Sequence, residues 1–425
     1  MRKIFAILFF ILLNKLLFAQ FKDNYFVTED VKAIADIDFN YEFNSNSISN
    51  KFLNTYLFGN HIDSLNKQWM FNKLKKNNRF GADIEGGISL FLFPDTFAGL
   101  SKMGFFVKFG ESYHTDITFS RDIFKMFFDG NKRFAGDTAD FSNSSLNIID
   151  YQQMQIGILT KFGTTKNKST FGIGISVNKG ISNTQINIKT AGLFTDKNAE
   201  YIDLYADYDV CRSDTGSNKN TIKGFGASLN VYYSYETEKK NRLSIQFTNF
   251  GYINWNKQSQ HFAKDTSIHF EGVSVNDILN IQGNIFGKAN SDSIVNLYTY
   301  TDSSHSYYMT MPACMEISYL YNFSEKVRVD LSIKKMFFVN YDPFILLKTQ
   351  ITQNKRNIFS FNVSYGGYES VNIFEKRDLN FGLEYAHNFG KGLILIAGSN
   401  YINGYLSPYS ITAQGIFVSI KKLFF

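Results

Sequence analysis

The sequence predicts an all-β protein, a single antiparallel transmembrane β-barrel of about 14 strands (about 12–16), with a few short helices in its loops or lumen. Apolar and polar residues alternate over many segments, which is the period of a strand with one apolar and one polar face. Aromatic residues make up 17% of the chain, whereas Pro occurs only 4 times. Lipid-facing bands and interfacial girdles use rings at this density, and a soluble core rarely does.

The final segments show the alternation most clearly. In one of them, Phe359, Phe361 and Val363 alternate with Ser360 and Asn362. In another, Val327–Lys334, four aliphatic residues alternate with charged or hydroxyl residues. Both segments therefore predict wall strands with an apolar outer face and a polar inner face.

Closure of the barrel follows from the end of the last predicted strand. The chain ends on Phe424 and Phe425, and a strand there has an unpaired edge unless another strand pairs with it. We therefore expect the last strand to be hydrogen-bonded to the first, predicted at Asp36–Phe43. Long loops, such as Asn256–Ser306, are expected to be irregular and to face outward, with the short turns at the periplasmic end.

One alternating segment, Asn198–Val210, carries Asp203, Asp207 and Asp209 on its second face. We interpret it as a hairpin above the membrane, because carboxylates are unfavourable in lipid. If it were a wall strand, the count would rise to about 16.

Two loops show helical spacing instead. The segment Ile62–Lys76 repeats apolar residues every three or four positions, with Asp63 or Ser64 as a cap. Arg121–Asp129 is predicted as a second helix, capped by Ser120 and stopped by Gly130. The helix that carries Trp69 is either a plug inside the lumen or, as we favour, a cap in a surface loop.

Residues 1–19 are predicted to be a signal peptide and residues 20–425 the barrel domain. Arg2 and Lys3 precede the apolar run Ile4–Leu13, and Ala19 offers a small residue before the cut. The run is too short to span a membrane as a helix, and no later segment has the roughly 18 apolar residues that this requires. The predicted location is the outer membrane of a Gram-negative cell, in contact with its lipid.

Net charge excludes one class of partner. The formal charge of +6 loses the three cations Arg2, Lys3 and Lys15 with the leader, which leaves about +3. Such a balance gives no reason to expect nucleic-acid binding.

The polar face of the predicted strands carries charges of both signs, which we expect to line a hydrated lumen. The ten lumen-lining candidates are Asp36, Asp38, Glu42, Asp83, Glu85, Lys108, Arg328, Asp330, Lys334 and Glu384. Two interpretations stay open. The charges either line a pore and tune its selectivity, or form ion pairs that fill a closed barrel.

The sequence predicts no enzyme and no catalytic, cofactor-binding or metal site. The histidines do not stand at metal-ligand spacing with Cys or acidic residues, except that His261 and His269 share a loop with Asp265. The Gly-rich runs lie inside strands with no helix after them, so they are not phosphate loops. Cys211 and Cys314 form no disulfide framework, and whether they pair is left open.

Several short strings resemble an outer-membrane β-barrel family of the Bacteroidota that is known only as a domain of unknown function. These strings are Phe18–Gln20, Ile123–Asn131, Phe134–Gly136, Thr248–Trp255 and Met311–Pro312. More distantly, the chain is similar to the long-chain fatty-acid transporter barrels, and in style to barrels of type IX secretion and gliding. The resemblance implies a fold and a location, without an activity, a cofactor or site residues.

The predicted function is a porin-like channel or transporter for small molecules, hydrophobic solutes among them. The alternative is a structural or secretion and gliding accessory barrel that binds an envelope protein through its long outer loops.

Overall fold

The computed structural model describes residues 30–97, 100–164, 166–216, 222–271, 303–368 and 379–425. The predicted signal peptide, residues 1–19, lies outside these ranges. Within them, strands dominate and helices are few and short, which confirms the predicted all-β class. None of the helices in the described ranges is long and apolar enough to cross a bilayer.

The strands are numbered in chain order. They are β1 (Ala33–Ser45), β2 (Asn77–Leu92), β3 (Thr96–Phe97), β4 (Leu100–Ser101), β5 (Met103–Ser120), β6 (Asp137–Asp140), β7 (Ser144–Gly163), β8 (Lys168–Thr195), β9 (Ile202–Arg212), β10 (Gly224–Glu236), β11 (Arg242–Trp255), β12 (Gln260–Phe270), β13 (Ser303–Ser304), β14 (Tyr307–Thr310), β15 (Ala313–Asn322), β16 (Val327–Phe337), β17 (Asp342–Thr352), β18 (Asn357–Gly367), β19 (Asn380–Gly390), β20 (Leu393–Ser399) and β21 (Ala413–Phe424).

Fourteen of these strands form a closed antiparallel ring, as predicted. Around the wall they follow the order β1, β2, β5, β7, β8, β10, β11, β15 and then β16 to β21. The ring closes because β21 pairs with β1, from Ala33 opposite Phe424 to Asn44 opposite Ala413. The predicted pairing of the last strand with the first is therefore confirmed, and neither strand has a free edge.

The two faces of each wall strand differ as the alternation predicts. On the outer face, Leu331 of β16 is 45% exposed and Phe361 of β18 is 53% exposed. Their inward neighbours, Ser332 and Asn362, are buried. An apolar outer face around a closed ring is the arrangement of an outer-membrane barrel.

A small sheet extends beyond the ring on the side of the long loops. The strand β8 is 28 residues long, and its upper part pairs with β9, which pairs in turn with β12. We call β9, β12 and the upper part of β8 the outer sheet. It confirms the hairpin interpretation of Asn198–Val210. The prediction that Asn256–Ser306 is irregular is wrong for Gln260–Phe270, which is a strand that pairs with the edge of β9. Residues 272–302 of this predicted loop lie outside the described residues.

The helices are numbered in the same way. They are α1 (Asn50–Leu57), α2 (Ser64–Lys73), α3 (Arg121–Asp129) and α4 (Ile402–Leu406), with a 3₁₀ turn at Asn131–Phe134. The predicted bounds of α3 are confirmed, because the Ser120 hydroxyl accepts a hydrogen bond from the Ile123 N–H and Gly130 ends the helix at positive φ. The sequence did not predict α1 or α4.

Helices α1 to α3 pack on the outside of the ring, near its outer rim. Phe52, Met70 and Phe124, one from each helix, form a buried cluster with Phe43 of β1 and Phe119 of β5. Both strand residues lie on the face opposite to the buried charges of their strands. The helix of Trp69 is therefore a cap, as we favoured, and it cannot narrow the lumen as a plug.

Candidate functional site in the barrel interior

The ten lumen-lining candidates all lie on the inward face of the wall strands. They are Asp36, Asp38 and Glu42 on β1, Asp83 and Glu85 on β2, Lys108 on β5, Arg328, Asp330 and Lys334 on β16, and Glu384 on β19. They are not one cluster, because they belong to different levels and sides of the ring.

Two of the ten form buried ion pairs with lysines that the sequence analysis did not single out. The Lys421 Nζ lies 3.6 Å from an oxygen of Asp36. The Lys348 Nζ lies 3.3 Å from an oxygen of Glu384. Both lysines stand at inward positions of alternating strands, so strand parity was the signal that could have found them.

A third polar pair lies higher in the lumen. The His114 Nδ1 is 2.6 Å from the Asp83 carboxylate, and both side chains are almost fully buried. His114 lies on β5, six residues after Lys108 and on the same face of the strand. The strand continues to Ser120, and its inward parity places His114 in the interior.

The end of the lumen at the short turns is filled with apolar side chains, which we call the lower layer. Its inward members are Ile34, Phe91, Phe106, Leu159, Ile358, Ile394, Ile396 and Leu423, all buried in one cluster. The Lys108 ammonium lies over two of these rings, 5.5 Å from the centroid of Phe91 and 5.6 Å from that of Phe106. This layer separates the charged interior from the end of the short turns.

Above the lower layer, a cavity of about 60 Å³ lies against β7, β8, β10 and β11. We call it the central cavity. Polar groups such as Glu85, Lys108 and Gln246 share its lining with the rings of Phe106 and Tyr232. The cavity therefore offers hydrogen-bonding groups and apolar surface together.

Glycines let side chains pack closely against the wall at this cavity. Gly172 and Gly174 of β8 line the central cavity with bare backbone. A β-carbon at Gly174 would lie 2.5 Å from the Gln155 amide nitrogen and 2.8 Å from the Phe106 ring. Gly157 allows the same ring to approach, because a β-carbon there would lie 2.2 Å from it. The glycines thus let Phe106 lie flat across the floor of the cavity.

A second cavity, of about 20 Å³, adjoins the first toward the outer rim. The two share Glu85, Ser112, Tyr151, Thr248 and Asn249 in their linings. We call it the upper cavity. It reaches the His114 and Asp83 pair, so polar groups of both levels line the two adjoining cavities.

The outer end of the upper cavity is closed by a second apolar cluster, which we call the upper layer. Its members are Cys314, Met336, Tyr341, Phe344, Tyr368, Tyr401 and Ala413. The Tyr401 hydroxyl donates a hydrogen bond of 2.5 Å to the Glu42 carboxylate. Tyr368 lies directly on Gly81, where a β-carbon would be 1.8 Å from the ring.

The outer sheet carries a further set of polar contacts, outside the lumen. The His261 Nε2 lies 2.7 Å from an Asp209 oxygen, and the Cys211 Sγ lies 3.9 Å from the other. Burial, with Asp209 nearby, raises the pKa of the Cys211 thiol to about 11. Cys211 and Cys314 are both free thiols, one in the outer sheet and the other in the upper layer. They are therefore not paired.

The histidines were not predicted to be metal ligands, because their spacing in the sequence does not match that of a metal site. Asp209 and His261 are 52 residues apart and meet only through the pairing of β9 with β12. The one local signal was the alternation of Asp209 and Cys211, which puts both on the same face of a strand.

Residues 27–396 match the profile of DUF5723, described as a family of unknown function. No curated protein matches the chain significantly in sequence.

Solved outer-membrane proteins resemble the chain over most of its length. The Ralstonia pickettii toluene transporter TbuX is 7% identical, with 93% of this chain and 90% of that chain covered and a TM-score of 0.44. The Pseudomonas putida toluene transporter TodX is 10% identical, with 93% and 91% covered and a TM-score of 0.41. A Pseudomonas aeruginosa FadL homologue is 10% identical, with 92% and 90% covered and a TM-score of 0.39.

Proposed function

Because the chain belongs to DUF5723, a family of unknown function, we propose its function from its interior: an outer-membrane transport barrel for small molecules. The observation that carries this proposal is the stack of four levels inside the ring. The central and upper cavities lie between the lower and upper layers. A transported molecule would occupy the cavities while both ends are closed.

The chemistry of the central cavity favours a small amphipathic solute. Rings of Phe106, Tyr151 and Tyr232 would contact an apolar body, while the amides of Gln153 and Gln246 would bind one or two polar groups. We propose this class in place of a purely hydrophobic one, because polar groups such as Glu85, Lys108 and Gln246 share the lining with the rings, and a purely apolar solute would displace water from them. We propose no catalytic role for these residues.

Passage would require movement of few side chains. Phe106 belongs both to the lower layer and to the lining of the central cavity, so its ring is the floor between them. Rotation of this ring would connect the cavity to the periplasmic end without a change in the wall.

The proposal is tested by flux through the purified protein in liposomes, with the small apolar dye N-phenylnaphthylamine and small amphipathic alcohols as solutes. Phe106→Ala should raise flux several-fold, because it removes the floor. Thr248→Trp should lower flux, because it fills the cavity from β11. The control is Phe105→Ala, one residue away on the outer face of β5, which should leave flux unchanged.

Heat-modifiable migration on a gel checks that each variant has folded. Equal flux for folded wild type, Phe106→Ala and Thr248→Trp would overturn the transport proposal.

The outer sheet favours a second candidate function, binding of an envelope protein. Strands β8, β9 and β12 stand beyond the ring, where a partner can reach them. Replacing residues 196–223, which contain β9, by a short turn between β8 and β10 leaves every wall strand in place and should then abolish co-purification of that protein. Loss of a partner with unchanged flux would favour this accessory role over transport.

A further inference from the structure

Three chemically different side chains converge on one face of the outer sheet. Asp209 and Cys211 alternate on β9, and His261 lies directly opposite Cys211 on β12. A carboxylate oxygen, the Cys211 Sγ and an imidazole nitrogen all lie within 4.8 Å of one another. The two strands pair over the whole of Ile202–Arg212, so the register that brings these groups together is fixed by the sheet.

These separations are close to those of a tetrahedral metal site. Zinc binds thiolate sulfur at about 2.3 Å and imidazole nitrogen or carboxylate oxygen at about 2.0–2.2 Å, which puts neighbouring ligand atoms about 3–4 Å apart. The hydrogen bond of 2.7 Å between His261 and Asp209 already aims their polar atoms at each other. Small side-chain rotations would turn both toward one ion.

From this geometry we propose that Asp209, Cys211 and His261 form a transition-metal site, with Zn²⁺ as the best-suited ion. A second imidazole is close, because the ring of His305 packs edge-on against that of His261, with 5.2 Å between centroids. The site lies outside the lumen and does not depend on the transport proposal.

The donor set selects the class of ion. A thiolate with an imidazole suits Zn²⁺, Cu²⁺ or Co²⁺, whereas Ca²⁺ and Mg²⁺ require a shell of oxygens that this site does not offer. All three side chains are half-buried, so an ion can enter from solvent. Bound metal would join β9 to β12 and stiffen the outer sheet.

The test uses the full chain, folded in detergent and treated with chelator. Titration with Zn²⁺ should give one equivalent bound, and Co²⁺ should give thiolate-to-metal absorption. Cys211→Ser should abolish that absorption. His261→Gln should weaken Zn²⁺ binding by at least about 100-fold, because even outer-shell changes weaken metal sites by about 10–100-fold.

Matched controls keep the result specific. Cys314→Ser removes the other thiol, and His269→Gln removes the other histidine of β12, so both should bind Zn²⁺ like the wild type. Heat-modifiable migration confirms that each protein has a folded barrel. Absence of binding to the folded wild type, or unchanged binding in folded Cys211→Ser, would overturn the proposal.

Discussion

Two sides of the same lumen are filled in different ways. On the side of β17 to β21, which we call the packed side, long side chains meet along the inner face of the wall, as Lys348 does with Glu384. On the side of β7, β8, β10 and β11, which we call the open side, the inward side chains leave the central cavity between them. Both sides have the same outer face and strand period, so the difference comes only from the size of the inward residues. The contact between Lys348 and Glu384 fits the ion-pair interpretation of the lumen charges, and the selectivity interpretation stays a prediction.

The largest effect is expected on the packed side. Lys348→Met should lower the free energy of unfolding by about 3–5 kcal/mol, because it leaves the buried Glu384 carboxylate without this ammonium. The double variant Lys348→Met with Glu384→Met should recover most of that loss. Denaturant unfolding in detergent measures both. A loss below about 1 kcal/mol for the single variant would mean that the packed side is as hydrated as the open side.

A charge introduced on the outer face should destabilise the barrel equally on the open side and on the packed side. Ile175→Arg on β8 and Leu383→Arg on β19 should each destabilise the barrel by about 2–4 kcal/mol, because both put a cation into lipid. Both residues are exposed on the outer face. The measurement is the folded fraction after refolding into lipid vesicles. Damage from only one of them would show that the apolar belt is interrupted on the other side.

On the open side, the loss of a polar contact should matter less. The Gln153 Nε2 lies 2.9, 3.0 and 3.1 Å from oxygens of Asn178, Ser228 and Asn249. Gln153→Ala should nevertheless lower the free energy of unfolding by only about 1–2 kcal/mol, because water from the cavity can take over these contacts.

The control for this prediction is Gln152→Ala, one residue away on the outer face of β7. It should change the free energy of unfolding by less than about 0.5 kcal/mol. If Gln153→Ala lowered the free energy of unfolding as much as Lys348→Met does, the predicted difference between the two sides would be wrong.

The smallest effect is expected outside both sides, in the outer sheet. Hydrogen bonds to Asp203 and Glu271 raise the pKa of His269 above its ordinary value of 6.5. Protonated His269 therefore stabilises the outer sheet fully below about pH 6.5. This contribution is lost as the pH rises through the raised pKa of His269. Amide exchange in β9 should become faster over that range in the wild type but not in His269→Gln. A matching pH response on either side of the lumen would contradict this assignment.

Much of the fold was predictable, because lipid outside and a polar interior impose period two on every wall strand. The same parity places Lys334 and Glu384 inside. The bounds of α3 could be predicted from its capping residues alone, Ser120 at the start and Gly130 at the end. The alternation along a strand does not predict at which height in the lumen an inward residue lies or which residue it contacts. Both depend on the register between strands that are far apart in sequence.

The outer sheet shows the same limit. Nothing near Gln260–Phe270 marks its partner, since the edge of β9 that it pairs with is about 50 residues earlier in the chain. The cavity was equally hidden, because it depends on which side chains Gly172 and Gly174 face across the lumen. Long-range pairing decides both, and local sequence patterns do not report it.

The pairing of Ala33 with Phe424 has a consequence for how the molecule assembles. Most other wall neighbours are close in sequence and can form early as hairpins, whereas this pair closes a loop of almost the whole chain. Ring closure is therefore expected to be the slow, final step of folding. Until then β1 and β21 both present open hydrogen-bonding edges, on which a second unfolded chain could add as a strand. The yield of folded protein should thus fall with chain concentration during refolding.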